Sequence, residues 1–533
     1  MLRIPNLSCP LDADVEGLRR LAAEHLRVRV SDVKSVALRR RSVDARDKSD
    51  VHFVVTLDAE VRSEAALLKK ARPGTLSPAL PDRIPPIPAA RFEKRPAVVG
   101  AGPAGLFAAL VLAMAGARPI LIERGKPVEE RTRDVRYLQT DALLDPESNV
   151  QFGEGGAGAF SDGKLTTGTK SPWQRFVLET FVRHGAPEEI LWLNKPHIGT
   201  DRLKGVVASI RNEIIALGGE VRFSTRLDGL SVRGEHLEGI HIRTPRGDEE
   251  LDTDTVLLCI GHSARDTLNR LWQGGVRMVQ KPFAMGVRIE HPQALIDRSQ
   301  YGSFAAHPAL GAADYKLNVH TPDGRGVYTF CMCPGGEVIC SASQEGGVVT
   351  NGMSLHARDG ENANAALLVG VPVSDFQDDH PLAGFVLQRQ IEKAAFRAGG
   401  GDFRAPAQTV GDFLEGRETR AFGSVTPTYR PGVTPADLRA VLPEAIVQDL
   451  RYALPRMNGM LHGFAHPDAV LTGVETRSSS PVRLPREKDG CAEGLRGLYP
   501  CGEGAGYAGG IMSAATDGIA AAIHAVENAG IPY

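Results

Sequence analysis

Cysteine is scarce in this 533-residue chain, and no apolar run is long. The seven cysteines (9, 259, 331, 333, 340, 491 and 501) are odd in number and dispersed. That argues against a disulfide-stapled scaffold and fits a reduced compartment. The longest strongly apolar stretch, residues 105–117, is too short to cross a bilayer and predicts a buried helix instead. The N-terminus has neither a basic segment nor a long apolar one, so a cytoplasmic protein with no membrane partner is expected. An excess of charge of either sign is also lacking: 62 Lys and Arg stand against 64 Asp and Glu, a net of −2. No nucleic-acid partner is expected from that balance. The basic run Arg39, Arg40, Arg41 is offset by Asp44, Asp47 and Asp50 and reads as a solvated hairpin edge rather than a phosphate patch.

What is present divides the chain. Residues 2–7, 36–41 and 51–58 have strand character, and Asp14 can cap a helix through Val15, Leu18, Leu21, Ala22 and Leu26. This βαββ order predicts a small α+β domain over residues 1–74. Prolines at 78, 81, 85, 86, 88 and 96 make residues 75–96 an extended linker, since proline fixes φ and removes an amide donor; a ligand for a proline-binding domain is the alternative.

A short apolar strand, 97–99, then runs into GAGPAG, residues 100–105. Gly100 permits the tight turn, Gly102 lets backbone approach a pyrophosphate, and Gly105 lets the next helix pack closely on the sheet. Pro103 and Ala104 open that helix, whose exposed amides and dipole favour a diphosphate. A second strand, 119–122, ends at Glu123 and Arg124; Glu123 stands about twenty residues on, where a carboxylate can accept from ribose hydroxyls. Strand, loop, helix, strand and acid in this order predict dinucleotide binding, without choosing between FAD and NAD.

The C-terminal stretch 500–518, PCGEGAGYAGGIMSAATDG, precedes an alanine-rich helix. Here the chain resembles the FAD superfamily that includes glutathione reductase and p-hydroxybenzoate hydroxylase. By that resemblance Glu503 hydrogen-bonds the ribityl chain, and Gly502 lets backbone near the diphosphate. Gly510, Ile511 and Met512 put a helix N-terminus at the pyrimidine end of the flavin. The glycine-rich stretch 149–168, NVQFGEGGAGAFSDGKLTTG, has neither helical nor strand period, and close approach to a flat ligand explains it. Gly155, Gly156, Ala157 and Ser161 are expected at the cofactor. Asp162 and Lys164 are the catalytic candidates, with capping or a surface ion pair as the alternative. Gly261, after the strand in 255–266, and the backbone near Leu227 are placed at FAD by the same resemblance.

The stretches NVQFGEGGAG, SDGKLTTG, CMCPGGEV, GGVVTNGMS, HARDGENANAALLV and GEGAGYAGGI together resemble a bacterial family of uncharacterised FAD-dependent dehydrogenases over nearly the whole chain. The fold this implies is α/β: a Rossmann-type FAD-binding domain in two stretches of sequence around an inserted β-rich substrate domain, plus the small N-terminal domain. The expected bounds are 97–282 for the first part of the FAD domain, 283–467 for the substrate domain and 468–533 for the return.

Several features are missing. No second strand-GxGxxG-helix unit occurs, so NAD(P)H is expected only as a transient donor. Ile260 precedes Gly261 where flavin hydroxylases carry Asp, which weakens a hydroxylase reading. No Cys-x-x-Cys pair stands near the flavin loop, and the single-residue spacing of Cys331 and Cys333 argues against disulfide exchange. The alternation Val327, Thr329, Cys331, Cys333 reads as strand packing, and no metal is expected. His197, His262, His356 and His462 are candidate proton donors, each more commonly structural. The expected function is hydride transfer between a small-molecule substrate and flavin N5. A tRNA-modifying protein and a flavin-bound scaffold with a partner-binding N-terminal domain are the alternatives; the absence of a basic stripe argues against the first.

Overall fold

Short strands, fully buried in all but the edge strand Glu220–Arg222, make the central sheet, as expected of parallel strands covered on both faces. In the computed structural model, which describes residues 1–529, five parallel strands lie in the order Leu498–Pro500, Val256–Leu258, Ala97–Val99, Ile120–Ile122, Glu220–Arg222. The C-terminal strand therefore returns beside the first half of the sheet. Helices Pro103–Met114 and Ile511–Ala529 pack on each other, and a Cβ at Gly518 would collide with the Ala104 carbonyl. The last four residues of the expected 468–533 segment lie outside the described residues.

The inserted domain is built on a seven-stranded sheet ordered Asn318–His320, Gly326–Cys333, Asn362–Val371, Phe283–Pro292, Val470–Glu475, Ala405–Thr409, Val433–Pro435. One face (Val287, Ile289, Ala363, Ala365, Leu367, Val369) joins the largest apolar core with the helix Glu444–Met460. The other face carries Arg288, Glu290, Asn362, Asn364, Thr472 and Glu475, all buried. The hairpin Gly336–Cys340/Thr350–Ser354 covers this polar face.

The structure corrects four expectations. The substrate-domain boundary at 467 falls short: Val470–Glu475 pairs with Phe283–Pro292 on one side and Ala405–Thr409 on the other. A buried strand reads alike in either domain, so sequence did not assign it. Second, the linker is not wholly free, because Ser77–Pro78 adds an edge strand to the N-terminal sheet. Third, the sequence offers Thr200 or Asp201 as the cap of a helix through Val206, Ile210 and Ile214, and neither side chain caps the helix Thr200–Ala216. Gly199, at φ +86°, takes the cap, Thr200 Oγ1 donates to Ala159 O (2.8 Å), and Asp201 accepts from His356 N (2.8 Å).

Fourth, the basic run is no solvated edge. Arg41 N donates to Trp192 O (2.8 Å) and Arg41 O accepts from Asn194 N (2.9 Å). The Arg41 guanidinium lies 4.7 Å from the Phe53 and Trp192 ring centroids, Arg40 reaches Asn194, and Arg39 pairs with Asp82. The edge strand Val33–Asp44 thus docks the N-terminal domain onto the FAD domain. Asp14 does cap Val15–Leu26, accepting from Gly17 N (2.7 Å). An antiparallel meander, Arg226–Arg233, His236–Thr244 and Gly247–Asp252, was not anticipated. Among the described residues no helix is long and apolar enough to cross a membrane.

Candidate functional site

The site forms where the loops leaving Val99, Leu258 and Pro500 meet at the C-terminal ends of adjacent strands, the usual ligand position in open α/β sheets. Gly100 adopts φ +101° with its Cα against the Cys259 carbonyl, and no Cβ fits at Gly105 beneath the Gly100 carbonyl. The Gly102 and Gly156 backbones lie face to face, and Gly155 N donates to Ala101 O (2.8 Å). Pro103, Gly158 and Ile511 touch, so the first loop, the middle loop and the last helix converge.

Glu123 has a role that sequence did not suggest. Its Oε2 accepts from Ala101 N (2.8 Å), and its Oε1 from Gly125 N and Gly153 N (2.9 Å each). It ties the dinucleotide loop to the middle loop from within. Arg124 pairs with Glu147 and Asp266 and lies 4.0 Å over the Phe152 ring. Arg131, fully buried, also went unnoticed: it donates to the carbonyls of Asn149, Val150, Gly153 and Glu154, at 2.6–3.2 Å. Burial lowers its guanidinium to about 10, which leaves it charged at neutral pH. One guanidinium therefore shapes the start of the glycine-rich loop.

Beyond that loop, Ala157 opens a short 3-10 turn and Ser161 Oγ donates to Gly158 O (2.8 Å). Gly261 (φ +67°) abuts Gly504, and Gly502 N donates to Asp517 Oδ2 (2.7 Å), which Arg486 also holds. Glu503 lies 3.3 Å from His262. The Leu227 side chain is buried in the apolar cluster that also holds Val99, Ile122, Ile240 and Ile242, and just before it Thr225 N donates to Glu123 O (2.9 Å).

These loops fit FAD. A Cβ built at Gly261, Gly509 or Gly510 meets nothing within 4 Å, so their backbone is open to close approach. His262 is 7% exposed, yet neither ring nitrogen has an aligned hydrogen-bond partner. Gly510, Ile511 and Met512 begin the helix Ile511–Ala529, whose N-terminus favours negative charge.

The polar face of the inserted sheet supplies the other wall. Asp162 is fully buried and pairs with Arg358 (Nε–Oδ1 3.0 Å), with Lys164 Nζ 3.8 Å away. Burial raises the Asp162 carboxyl, but Arg358 and Lys164 overcome this and hold it below its ordinary value. Burial and Arg358 depress His197 to about 4, so it is neutral at physiological pH. It stacks on His356 with ring centroids 5.3 Å apart. Arg288 lies 3.3 Å from Glu475, whose carboxyl burial pushes up to about 7 against the pull of Arg288. Sequence gave no signal for Arg288, Glu475 or Asn364, because their neighbours come from strands far apart in the chain.

Two further groups lock the walls together. Glu392, fully buried, binds Arg265 (2.7 and 2.9 Å) and Arg477 (2.9 and 3.0 Å). Burial pushes its carboxyl up, but the two guanidiniums hold it well below the ordinary carboxylate range. Gln151 joins Ser263 to Ser341.

A one-Rossmann core with glycine loops open to a flat dinucleotide, closed by a β-rich domain, defines an FAD-dependent enzyme of the oxidoreductase type. Residues 95–137 match the FAD binding domain family, residues 282–478 the family of FAD-dependent proteins, C-terminal domain-like, and residues 1–60 a domain of unknown function. An uncharacterised protein of Clostridium beijerinckii is 45% identical over 534 aligned positions, covering 100% of this chain and 99% of that one. The chain belongs to that family of FAD-dependent proteins, and its cofactor is FAD. Among solved structures it is similar to a flavin-dependent brominase (11% identity, 82% of this chain and 81% of that one, TM-score 0.38). It is also similar to a geranylgeranyl bacteriochlorophyll reductase-like protein of Thermoplasma acidophilum (11%, 81% and 78%, TM-score 0.36).

Proposed function

We propose that this enzyme transfers a hydride between flavin N5 and a small acidic substrate bound against the polar face of the inserted sheet. The observation that carries this reading is the convergence of Arg288, Glu475 and Asn364 on one buried face. Arg288 Nη1 and both amide atoms of Asn364 lack partners there, and Arg288 Nε and Glu475 Oε2 meet each other as an ion pair at 3.3 Å without an aligned hydrogen bond. A natural fold rarely leaves such groups unsatisfied, so they fit a site made to hold a polar molecule.

FAD supplies the two-electron chemistry, and the chain supplies orientation and proton handling. Arg288 offers a planar cation to a carboxylate. Glu475, with a carboxyl near 7, can give or take a proton at working pH. Arg131 and Glu123 hold the middle loop in place, and the covering hairpin keeps water away. NADH or NADPH is the transient donor in this reading, entering without a domain of its own. The partner is a small molecule rather than a nucleic acid or a membrane, and the site of action is the cytoplasm.

Anaerobic flavin spectroscopy against a panel of carboxylic-acid metabolites tests it. The expected result is bleaching of the visible flavin band by one acid class, and much slower bleaching in R288M. Purified protein that is colourless and takes up no FAD overturns the reading. Addition of NADPH or NADH to the yellow protein then separates a reductase from a substrate dehydrogenase.

A further inference from the structure

Arg39 and Arg40 both line a cleft of about 530 Å³ between the edge strand Val33–Asp44 and the FAD domain. Neighbouring residues of a regular strand point to opposite faces. Here the pairing of Val33–Asp44 with His52–Val61 slips between Leu38 and Arg40, and such a bulge re-aims side chains, so both arginines border one cavity. Docking the domain does not use them equally. Arg41 makes the backbone bonds to the FAD domain, and Arg39 pairs with Asp82. Arg40 holds only the Asn194 side-chain oxygen (3.0 Å), and among the described residues no carboxylate pairs with it.

The remaining lining has a charged part and an apolar part. Arg3 and Arg175 also border the cleft, against a single lining acid, Asp82. Asp58 neutralises Arg3 (2.7 Å) and Glu179 neutralises Arg175 (2.6 Å), which leaves Arg40 as the unmatched positive charge. Thr166, Thr167 and Asn194 add neutral hydrogen-bonding groups. Leu165 and Met512, both buried, supply the apolar part. Met512 follows Ile511, which meets Pro103 of the dinucleotide loop and Gly158 of the middle loop. The middle loop thus borders both this cleft, through Leu165 to Thr167, and the polar face of the inserted sheet, through Asp162 and Lys164.

We infer that this cleft binds NADPH, with the 2′-phosphate on Arg40 and the nicotinamide toward Leu165 and Met512. The inference deepens the proposed function and rests on it, since that reading needs a nicotinamide donor and gives it no site. One Rossmann-type parallel sheet occurs among the described residues, and FAD takes its ligand position. A donor dinucleotide therefore needs a second place with a cation, hydrogen-bonding groups and an apolar end. About 530 Å³ is the size of a small-molecule site, and arginine commonly accommodates a 2′-phosphate. A mere gap between docked domains would not need an arginine re-aimed by a bulge and left without a carboxylate. In the step served, NADPH gives up a hydride, FAD takes that hydride with one proton from solvent, and NADP+ and FADH2 result.

The FAD-loaded full-length protein, oxidised, is titrated by calorimetry at low salt with NADP+, NAD+ and adenosine 2′,5′-bisphosphate. NADP+ should bind, adenosine 2′,5′-bisphosphate should compete with it, and NAD+ should bind more weakly. R40E should weaken NADP+ at least about tenfold, as expected for one lost charge-assisted hydrogen bond, and should change NAD+ far less. T166E, an exposed change on the opposite wall, should also weaken NADP+. Wild-type NADP+ affinity in both variants overturns the inference, and so does the absence of NADP+ binding to the yellow wild type. FAD content and urea midpoint report whether each variant folds; should R40E loosen the seam, T166E decides. Anaerobic NADPH separates this inference from the reading beneath it. Bleaching of R40E at the wild-type rate under sub-saturating NADPH keeps hydride transfer and removes the site. NADP+ binding that R40E weakens, with no bleaching of the wild type, keeps the site and removes NADPH as the donor.

Discussion

At the scale of single residues, the glycines whose space is already filled make the sharpest test. A methyl at Gly105 collides with the Gly100 carbonyl, so G105A must move either the helix Pro103–Met114 or the turn before it. The expected cost is ~1–3 kcal/mol, together with loss of bound FAD, measured by urea unfolding and by flavin absorbance after gel filtration. Retention of FAD at wild-type stability would show that the loop gives way.

Gly100 and Gly105 were legible in the sequence because backbone geometry itself demands glycine there. Glu123 was legible as a residue, but its three amide contacts were not, since two of them come from loops it does not precede. Glu475 was invisible: a glutamate ending an apolar strand says nothing about the arginine across the sheet. Its buried carboxyl, raised to about 7, keeps its proton in the fold above an unfolded value of ~4.3. The folded state then binds more protons between those values. The stabilisation is therefore complete at the acid end and is lost as pH rises through about 7. Glu154, raised to about 7 mainly by burial, contributes with the same sign. Between about pH 5 and about pH 8 the wild-type urea midpoint should fall, and that of E475Q should fall less. Parallel slopes would mean that Glu475 is ionised in the fold.

At the scale of elements, strands and helices were read well wherever period and breakers agreed, as in Pro103–Met114 and its flanking strands. Short, fully buried strands such as Val470–Glu475 carry no period and were assigned to the wrong side of a domain boundary. Charge networks that join elements leave no local trace. Glu392, on the helix Ala383–Gly399, holds Arg265 beside the Gly261 loop and Arg477 beyond the inserted sheet. Removing the charge leaves two buried guanidiniums facing a neutral amide, which should cost ~3–5 kcal/mol. E392Q should unfold at correspondingly lower urea, while an exposed control such as E415Q stays near wild type. If E392Q matches the control, the network contributes little to holding the walls together.

At the scale of the whole molecule, the N-terminal domain is the part whose role sequence left unread. Its edge strand docks by backbone pairing to Trp192 and Asn194, and a cleft of about 530 Å³ opens beside that seam. Arg39, Arg40 and Thr56 line the cleft from one side, and Leu165, Trp192 and Met512 from the other. Met512 stands in the first turn of the helix expected at the pyrimidine end of the flavin, and Leu165 follows Lys164 in the middle loop. The domain is thus one wall of a cleft whose other wall includes residues of both segments expected at the cofactor. Deleting residues 1–74 removes that wall without touching the Gly100–Gly105 turn, Gly261 or Gly502. The truncated protein should still bind FAD, but iodide should quench its flavin fluorescence at least about twofold more strongly, as expected when a charged cleft opens to solvent. Size-exclusion chromatography on the same samples separates this from a scaffold role. Unchanged quenching with a change in oligomer size would make the domain a partner-binding module and not a wall of the site.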